Sequence, residues 1–176
     1  MRAAHTVKTI KSQVHIIAPA AMIWAHITNV RLEQFADPLL FRLLDVPKPL
    51  RADLLTEGVG GCRTAHFANG KKFEQRILRW EPHTHYAFSF NPEPGFRVGY
   101  LFELSAGMFR MLAGAYELHE DANHTVLTLR TEYSVQRNMR WLLLGPITAV
   151  LYLFQRYLLR SIKRNAEHET MKLFRK

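Results

Sequence analysis

Several side chains of this sequence have the chemistry of general acids and bases. The chain contains nine histidines, and an imidazole titrates near neutral pH. His66 lies within a predicted strand, as do Glu74 and Tyr116, so each could transfer a proton if its side chain faced a pocket. The alternative for His66 is a structural histidine, either hydrogen-bonded in the core or exposed. Spacing along separate strands does not show which of these groups meet, so no catalytic set is assigned.

Metal, nucleophile and phosphate sites are not predicted. His83 and His85 follow the turn at Glu81-Pro82, and no third ligand stands at a recognisable spacing. No serine lies in a GxSxG motif, and Cys62 has no evident partner base. The glycine-rich residues 58–62 precede a predicted strand, whereas a phosphate loop opens a helix. We therefore expect no metal and no cofactor.

Length and composition predict one globular domain over residues 1–176. The chain is 48% hydrophobic and 22% charged, which is typical of an ordered protein with a single core. Its one cysteine cannot form an internal disulfide, which fits a reducing compartment. Lys8 and Lys11 interrupt the apolar run that a secretory signal needs, so we expect a cytoplasmic location.

The positive charge is concentrated at the C-terminal end. The formal net charge is +9, and residues 137–176 hold nine Lys and Arg against two Glu, which gives +7. Such a segment suits an anionic membrane surface or an acidic partner, and a solvated helix face is the alternative. Nucleic acid is not an expected partner, because no aromatic stacking platform is interleaved with the basic residues.

The order of sequence patterns predicts an antiparallel α+β domain. Residues 12–18 form a first strand, Pro19 suits the first turn of a helix, and residues 31–38 form a second short helix before a connector at 39–50. Asn69-Gly70 is typical of a tight hairpin turn. Residues 91–108 predict either a lid or an additional edge strand. Six further strands are predicted at residues 52–58, 62–68, 71–80, 85–90, 109–119 and 125–135.

A long helix closes the chain, and its first half is very apolar. The uninterrupted apolar run at 141–154 has 14 residues, whereas a membrane-spanning helix needs about 20. We therefore expect a helix that begins with Pro146 in its first turn and packs on the sheet. Tyr152, Leu153 and Leu159 flank the packing stripe and are left to touch solvent, another subunit or lipid. The predicted stripe consists of Ile147, Val150, Leu151, Phe154, Leu158, Ile162 and Asn165.

These elements resemble those of a known superfamily. The segment VHIIAPAAMIWAHITNV, with Ala18-Pro19 and Ile23-Trp24, is similar to the start of the START-like, Bet v 1-like (SRPBCC) superfamily, in its polyketide cyclase/dehydrase-type branch. FEQRILRWEPHTHYAFSF resembles its fourth and fifth strands, and the last strand and closing helix also match in pattern. The resemblance implies a helix-grip fold, in which a curved, seven-stranded antiparallel sheet surrounds a long C-terminal helix, with two short helices after the first strand.

The resemblance also implies a cavity between sheet and helix that holds a lipid, polyketide or aromatic compound. Without it, the same apolar residues would predict a filled core. Arg63, His66, Arg97 and Tyr100 are the predicted polar groups near the mouth, and Arg97 suits a carboxylate or phosphate. The predicted apolar and aromatic walls are Phe88, Phe90, Leu112, Tyr116, Leu127, Leu129, Tyr133, Val150, Leu151, Phe154 and Leu158.

The leading functional prediction is a protein that binds a hydrophobic or amphipathic small molecule. An alternative is a cyclase or dehydratase that acts on a polyketide-like substrate, with His66, Tyr116 or Glu74 as general acid or base. Another alternative is a module whose basic helix docks on an anionic membrane or an acidic partner. A homodimer is also left open by the apolar flank of the helix.

Overall fold

The computed structural model describes residues 5–36, 38–98, 102–103 and 108–173. Its main antiparallel sheet has the strand order β1-β10-β9-β5-β4-β3-β2, and β6 pairs beside β4. A separate two-stranded ribbon joins β7 and β8. The strands are β1 His5–Ile16, β2 Pro49–Leu54, β3 Cys62–Phe67, β4 Lys72–Glu81, β5 His85–Ser89, β6 Asn91–Pro92, β7 Arg97–Val98, β8 Phe102–Glu103, β9 Phe109–Glu120 and β10 Thr125–Gln136. The helices are α1 Ala20–Thr28, α2 Leu39–Leu43 and α3 Arg140–Leu173, the last preceded by one 3-10 turn, Arg137–Met139.

The predicted helix-grip arrangement is confirmed: an unclosed, curved antiparallel sheet carries the long helix α3 on one face. Buried residues recur along the whole of α3, from Leu143 near its start to Ala166 and Thr170 near its end. This three-and-four spacing is what a helix needs to lie lengthwise on a sheet. The sheet therefore positions one face of α3 over its full length.

Several element boundaries differ from the prediction. β1 begins at His5 instead of residue 12, because it pairs with β10 over all twelve of its residues. The second helix is α2, inside the predicted connector, whereas residues 31–36 form a bridge and a turn. β2 starts at Pro49, which an edge strand tolerates because proline cannot donate to a sheet ladder. Helix α3 starts at Arg140, so that Pro146 lies inside it.

Two β-bulges change which residues face α3. In β4, the register shifts between Ile77 and Arg79, so Phe73, Gln75 and Ile77 point inward before the bulge and Trp80 packs inward after it. This settles the ambiguous parity of residues 71–80. In β9, the register shift opposite Glu132/Tyr133 leaves Leu112 exposed, so its prediction as a wall residue was wrong. An extra residue in a strand reverses the alternation beyond it.

The space between sheet and helix is filled at one end and hollow at the other. At the filled end, Trp24 of α1 packs edge-on against Trp80 and Tyr86, with ring centroids 5.0 and 6.0 Å away. The second half of α3 covers this cluster with Leu159 and Ile162. Leu159 is only 2% exposed, so its predicted place on a solvent or lipid flank was wrong. The hollow end lies under the first half of α3.

Candidate ligand-binding cavity

A cavity of about 330 Å³ lies between the inner face of the sheet and the first half of α3. This volume lies in the range of small-molecule sites, and its wall is mostly apolar, as such sites require. Leu44 and Pro146 line the cavity and are also exposed at the surface, so its opening lies between the segment after α2 and the first turns of α3. Phe96 and Val98 add to the wall from the segment before β9. That segment therefore covers part of the cavity, and its short strands pair with β4 or with each other, so no additional edge strand is seen among the described residues.

Arg63 places a buried positive charge in this wall. Its side chain points inward from β3, and the residue is 3% exposed. Nε donates a hydrogen bond to Gln75 Oε1 at 2.7 Å, and Nη1 donates to the carbonyl oxygen of Ile27 at 2.5 Å. The guanidinium also lies over the Phe88 ring, 4.6 Å from its centroid. A carbonyl in the last turn of α1 carries the negative end of the helix dipole, which stabilises a cation there.

No carboxylate among the described residues forms an ion pair with Arg63, although acidic partners are common on the protein's surface. Asp53, one strand away, pairs with Arg31, Arg51 and His66. Burying a charge costs several kcal/mol of folding free energy, which is about as much as the attraction within an ion pair contributes. Arg63 is instead stabilised by neutral acceptors and aromatic faces. The guanidinium has five N–H donors, and the bonds to Gln75 and Ile27 use two of them.

Tyr116 lies beside Arg63 and stays protonated over the physiological range. Burial raises the pKa of its phenol to about 12, and the charge and hydrogen bond of Arg63 oppose that rise. The phenol is therefore a neutral hydrogen-bond donor or acceptor at neutral pH. Arg63, Gln75 and Tyr116 together form a polar group deep in the cavity, which we call the polar end.

Gln155 attaches α3 to the sheet across the cavity. Its Nε2 donates to Thr131 Oγ1 at 2.8 Å, and its Oε1 accepts from Ser12 Oγ at 2.8 Å. Gln155 is 1% exposed and lies at the end of the apolar half of α3. Buried amides need such partners, since an unpaired polar group costs about 1–3 kcal/mol. These hydrogen bonds fix the position of α3, and the residues around Gln155 leave the cavity unfilled.

Nine of the fifteen predicted site residues line the cavity; Leu112, described above, and five others do not lie in its described wall. His66 alternates to the outer face of β3 and pairs with Asp53 at 3.1 Å. Arg97 lies in a separate shallow surface groove beside Asn69. Tyr133 is buried near the cavity, and its hydroxyl is bonded to Thr148 at 2.8 Å. Tyr100 lies outside the described residues. The predicted residues that do line the cavity are Arg63, Phe88, Phe90, Tyr116, Leu129, Val150, Leu151, Phe154 and Leu158.

Other predicted chemistry is also displaced from the cavity. Glu74 is exposed on the outer face of β4, opposite Asn91. Leu127 belongs to the filled core end. Within the described ranges, no cluster of three or more His, Cys, Asp and Glu residues has the arrangement of a metal site. Of the three proposed acids and bases, Tyr116 alone is in the described wall.

Sequence reasoning missed Gln75, Thr131 and Gln155 as polar lining residues. A polar residue at an inward strand position was the available signal for Gln75, because it stands between the apolar Phe73 and Ile77. Gln155 was similarly detectable as the one polar residue that follows fourteen apolar positions of α3. Each interrupts an apolar stripe at a position that the stripe itself assigns to the interior.

Comparison with solved structures shows matches over nearly the whole chain. The Zhui aromatase/cyclase from Streptomyces sp. R1128 is 17% identical, with a TM-score of 0.59 over 94% of this chain and 96% of its own. Ara h 8.0201 is 10% identical, with a TM-score of 0.59 over 92% and 98%. Norcoclaurine synthase from Thalictrum flavum is 16% identical, with a TM-score of 0.52 over 91% and 86%. The chain has the Bet v 1-like fold. This is the START-like (SRPBCC) arrangement that the sequence resembles.

Sequence comparisons alone do not reach this result. No family model matches the chain, and no curated protein matches it. At 10–17% identity the structural matches establish the Bet v 1-like fold and leave the ligand open. The chemistry of the cavity must therefore come from its own residues.

One helix in the described part, Trp141–Leu173, is long and apolar enough to cross a membrane by length and composition. The packing of this helix in the Bet v 1-like fold argues against a transmembrane orientation. Leu143, Ile147, Leu151, Gln155 and Leu159 lie buried against the rest of the domain, and Gln155 bonds to two strands. Crossing a bilayer would expose the cavity and these polar groups to lipid.

Proposed function

We propose that this protein binds an amphipathic small molecule that has an apolar body and an acidic or otherwise hydrogen-bond-accepting group. The observation that carries the proposal is the buried guanidinium of Arg63, which has no carboxylate partner among the described residues, in the wall of a mostly apolar cavity. A guest anion would supply the opposite charge that the described residues do not. Charge-assisted hydrogen bonds are about twice as strong as neutral ones.

The positions of the polar and apolar residues in the cavity wall determine how the ligand is oriented. Its acidic group would meet the polar end, where Arg63, Gln75 and Tyr116 lie. Its apolar body would extend along Leu151 and Phe154 of α3 toward the opening. Small-molecule sites use this division, in which apolar walls supply affinity and a few polar groups fix orientation.

Two structural neighbours support a small-molecule role. One neighbouring structure is norcoclaurine synthase in complex with dopamine and hydroxybenzaldehyde, and another is an aromatase/cyclase. The first holds two small organic molecules within this fold. They do not set the ligand class of this chain, because the identities are 16% and 17%.

Turnover is a second candidate function, and Tyr116 is the specific observation that favours it. A neutral phenol beside a guanidinium can protonate or hydrogen-bond a substrate carbonyl while Arg63 stabilises negative charge on its oxygen. His66 and Glu74, the other proposed acids and bases, face away from the cavity. A cyclase or dehydratase reaction would therefore depend on Tyr116 and Arg63, and exchange of Tyr116 for Phe should abolish turnover while binding persists.

The test of the binding proposal is in two steps. Mass spectrometry of molecules extracted from natively purified protein should identify a co-purifying amphipathic acid. Calorimetric titration should then show that decanoic acid binds more tightly than decanol, which has the same chain without the carboxylate. Equal affinity for the two would contradict the role of Arg63, and failure of both to bind would contradict the proposal as a whole.

A cytoplasmic location, contact with a membrane and a homodimer stay predictions. The net charge of the C-terminal segment motivates the membrane contact, and the exposed apolar residues of α3 motivate both that contact and the dimer.

A further inference from the structure

The first half of α3 exposes an apolar face that packing within the domain does not explain. Trp141 is 82% exposed, Leu142 51% and Tyr152 42%. Residues 141–155 contain no charged side chain, although a surface helix of a soluble domain ordinarily carries charges on its outer face. Contiguous exposed apolar surface marks a site of interaction with protein or membrane.

A second exposed apolar element lies next to this face. In α2 and directly after it, Leu39, Leu43 and Leu44 are exposed, the first two by more than 60%. Phe41 of the same helix stacks on Phe154 of α3, with ring centroids 6.0 Å apart. This contact holds α2 against the middle of α3. We call the two exposed sets together the mouth surface, consisting of Leu39, Leu43, Leu44, Trp141, Leu142 and Tyr152.

The mouth surface reaches the cavity at Leu44, and its α3 residues lie on the same helix as Pro146. Leu44 and Pro146, one from each side, line the cavity and are exposed. Any molecule that covers the mouth surface therefore also meets the opening. An apolar ligand could pass between that molecule and the cavity without crossing water.

The charge around the mouth surface is positive. Residues 137–166 contain six Lys and Arg and no Asp or Glu. Arg137 is exposed just before α3, and Arg156 is exposed one turn beyond Tyr152, with its guanidinium 5.4 Å from the Tyr152 ring centroid. Arg42 is exposed on α2, next to Leu43, while Asp45 is the exposed acid of this region. An apolar strip bordered by basic residues is the pattern of an interfacial membrane helix.

We infer that the mouth surface docks on an anionic lipid bilayer, with α3 lying in the plane of the interface and the cavity opening toward the lipid. The other face of α3 stays packed on the sheet, so the helix inserts sideways and does not span. This goes beyond the proposed function, because it states where the amphipathic ligand is collected or delivered. A second copy of the chain would bury the apolar strip equally well, but it would bring two basic segments together.

Sedimentation with lipid vesicles tests the inference on the full chain. We expect binding to vesicles of equal parts phosphatidylcholine and phosphatidylglycerol, weak binding to phosphatidylcholine alone, and release at high salt, because exposed charges are screened. The double substitution Trp141→Ser/Leu142→Ser should lower vesicle affinity about tenfold or more, since each side chain loses apolar contact with lipid. Val59→Ser is the matched control, because Val59 is 71% exposed in the β2–β3 loop, away from the mouth surface.

The contribution of charge has its own pair of variants. Arg137→Gln/Arg156→Gln should weaken binding about fivefold for each charge removed, because each basic residue near an anionic membrane contributes about 1 kcal/mol. Arg76→Gln/Arg79→Gln removes the same charge from the outer face of β4. Equal losses in the two pairs would contradict docking through the mouth surface.

Tryptophan fluorescence reports which face touches lipid. The chain has three Trp, of which Trp141 is 82% exposed while Trp24 is buried and Trp80 half-buried. Vesicles should shift the emission to the blue and brominated lipid should quench it, and Trp141→Phe should remove both effects while vesicle binding persists.

The remaining outcomes separate this inference from the proposed function. A chain that binds decanoic acid but never sediments with anionic vesicles overturns the docking inference alone. A chain that is dimeric by analytical ultracentrifugation, becomes monomeric on Trp141→Ser/Leu142→Ser and ignores vesicles assigns the mouth surface to a second copy, and this also overturns it. Vesicle binding without any affinity for decanoic acid or decanol supports docking and contradicts the proposed function.

Discussion

Replacement of Arg63 by Met tests whether the guanidinium binds the ligand or only stabilises the fold. Methionine keeps an unbranched side chain of similar reach and removes the charge and all of the N–H donors. The variant loses the hydrogen bonds to Gln75 Oε1 at 2.7 Å and to Ile27 O at 2.5 Å. It also loses the contact with the Phe88 ring at 4.6 Å.

The change in the free energy of unfolding is the balance between the contacts that the variant loses and the burial cost that it avoids. Two hydrogen bonds from a charged donor are worth about 1.5–3 kcal/mol each, and a desolvated cation–π contact adds about 2 kcal/mol. Against this stands the cost of burying a guanidinium, which is also several kcal/mol. These contributions nearly cancel, but the buried acceptors on Gln75 and Ile27 that lose their donor cost about 1–3 kcal/mol each, so Arg63→Met should lower the free energy of unfolding by about 2–5 kcal/mol.

The effect on binding should depend on the ligand. Loss of a charge-assisted contact worth about 1.5–3 kcal/mol lowers affinity for decanoic acid roughly 10- to 150-fold. Affinity for decanol should change by about threefold or less, because its hydroxyl carries no charge. Urea denaturation and calorimetric titration measure the two quantities on the same preparation. Arg76→Met, on the exposed outer face of β4, is the matched control.

Two results would contradict the role of Arg63 as a ligand anchor. If Arg63→Met fails to fold, Arg63→Lys restores folding and the wild type binds decanoic acid no better than decanol, the guanidinium has a structural role only. A folded variant with unchanged affinity for decanoic acid would show that the acidic group binds elsewhere.

Three further predictions concern the cavity wall and its aromatic support. Ala65→Phe, which projects a ring from β3 into the cavity, should lower affinity for both decanoic acid and decanol in the same titrations. Gly114→Ala should cost about 1–3 kcal/mol in urea denaturation, because a Cβ there would lie 2.7 Å from the Phe88 ring. Tyr116 should contribute ~2–3 kcal/mol of stability that is present below pH 10 and lost as the pH rises toward 12, since its pKa is raised from 10.0 to about 12. Tyr116→Phe should remove that part of the alkaline decline measured by denaturation at successive pH values.

Each of these three has an outcome that contradicts it. Unchanged binding in Ala65→Phe would place the ligand outside the cavity, provided that denaturation shows a folded variant. Wild-type stability in Gly114→Ala would show that Phe88 moves without cost. An alkaline decline that is the same in Tyr116→Phe as in the wild type would assign it to the other groups that titrate near pH 10.

The sheet and the long helix were predictable from the sequence because their signals are local. Alternation along β10, the turn at Asn69-Gly70 and the three-and-four spacing of α3 each follow from backbone geometry. The full length of β1 was not predictable from the sequence. Its first residues are polar, and they are extended only because they pair with β10. Helix α2 was hidden for a similar reason, since its five residues are held by the contact of Phe41 with α3.

The site was predicted in part, and the failures have different causes. Nine of the fifteen predicted residues line the cavity, because inward alternation and the apolar stripe of α3 identify the interior. Arg63 was included on the guess that it stood near the mouth, whereas it lies at the buried polar end. Leu112 failed because a bulge reversed the alternation in β9. His66 failed because its strand neighbours, Ala65 and Phe67, occupy the inward positions.

A crystal structure of the protein mixed with decanoic acid would test the claim that Arg63 binds the acidic group of a ligand inside the cavity. The claim predicts electron density for one chain in the cavity, with its carboxylate within hydrogen-bond distance of the Arg63 guanidinium and its tail along Leu151 and Phe154. A cavity closed by its own side chains, or density for the acid only on the outer surface, would contradict it.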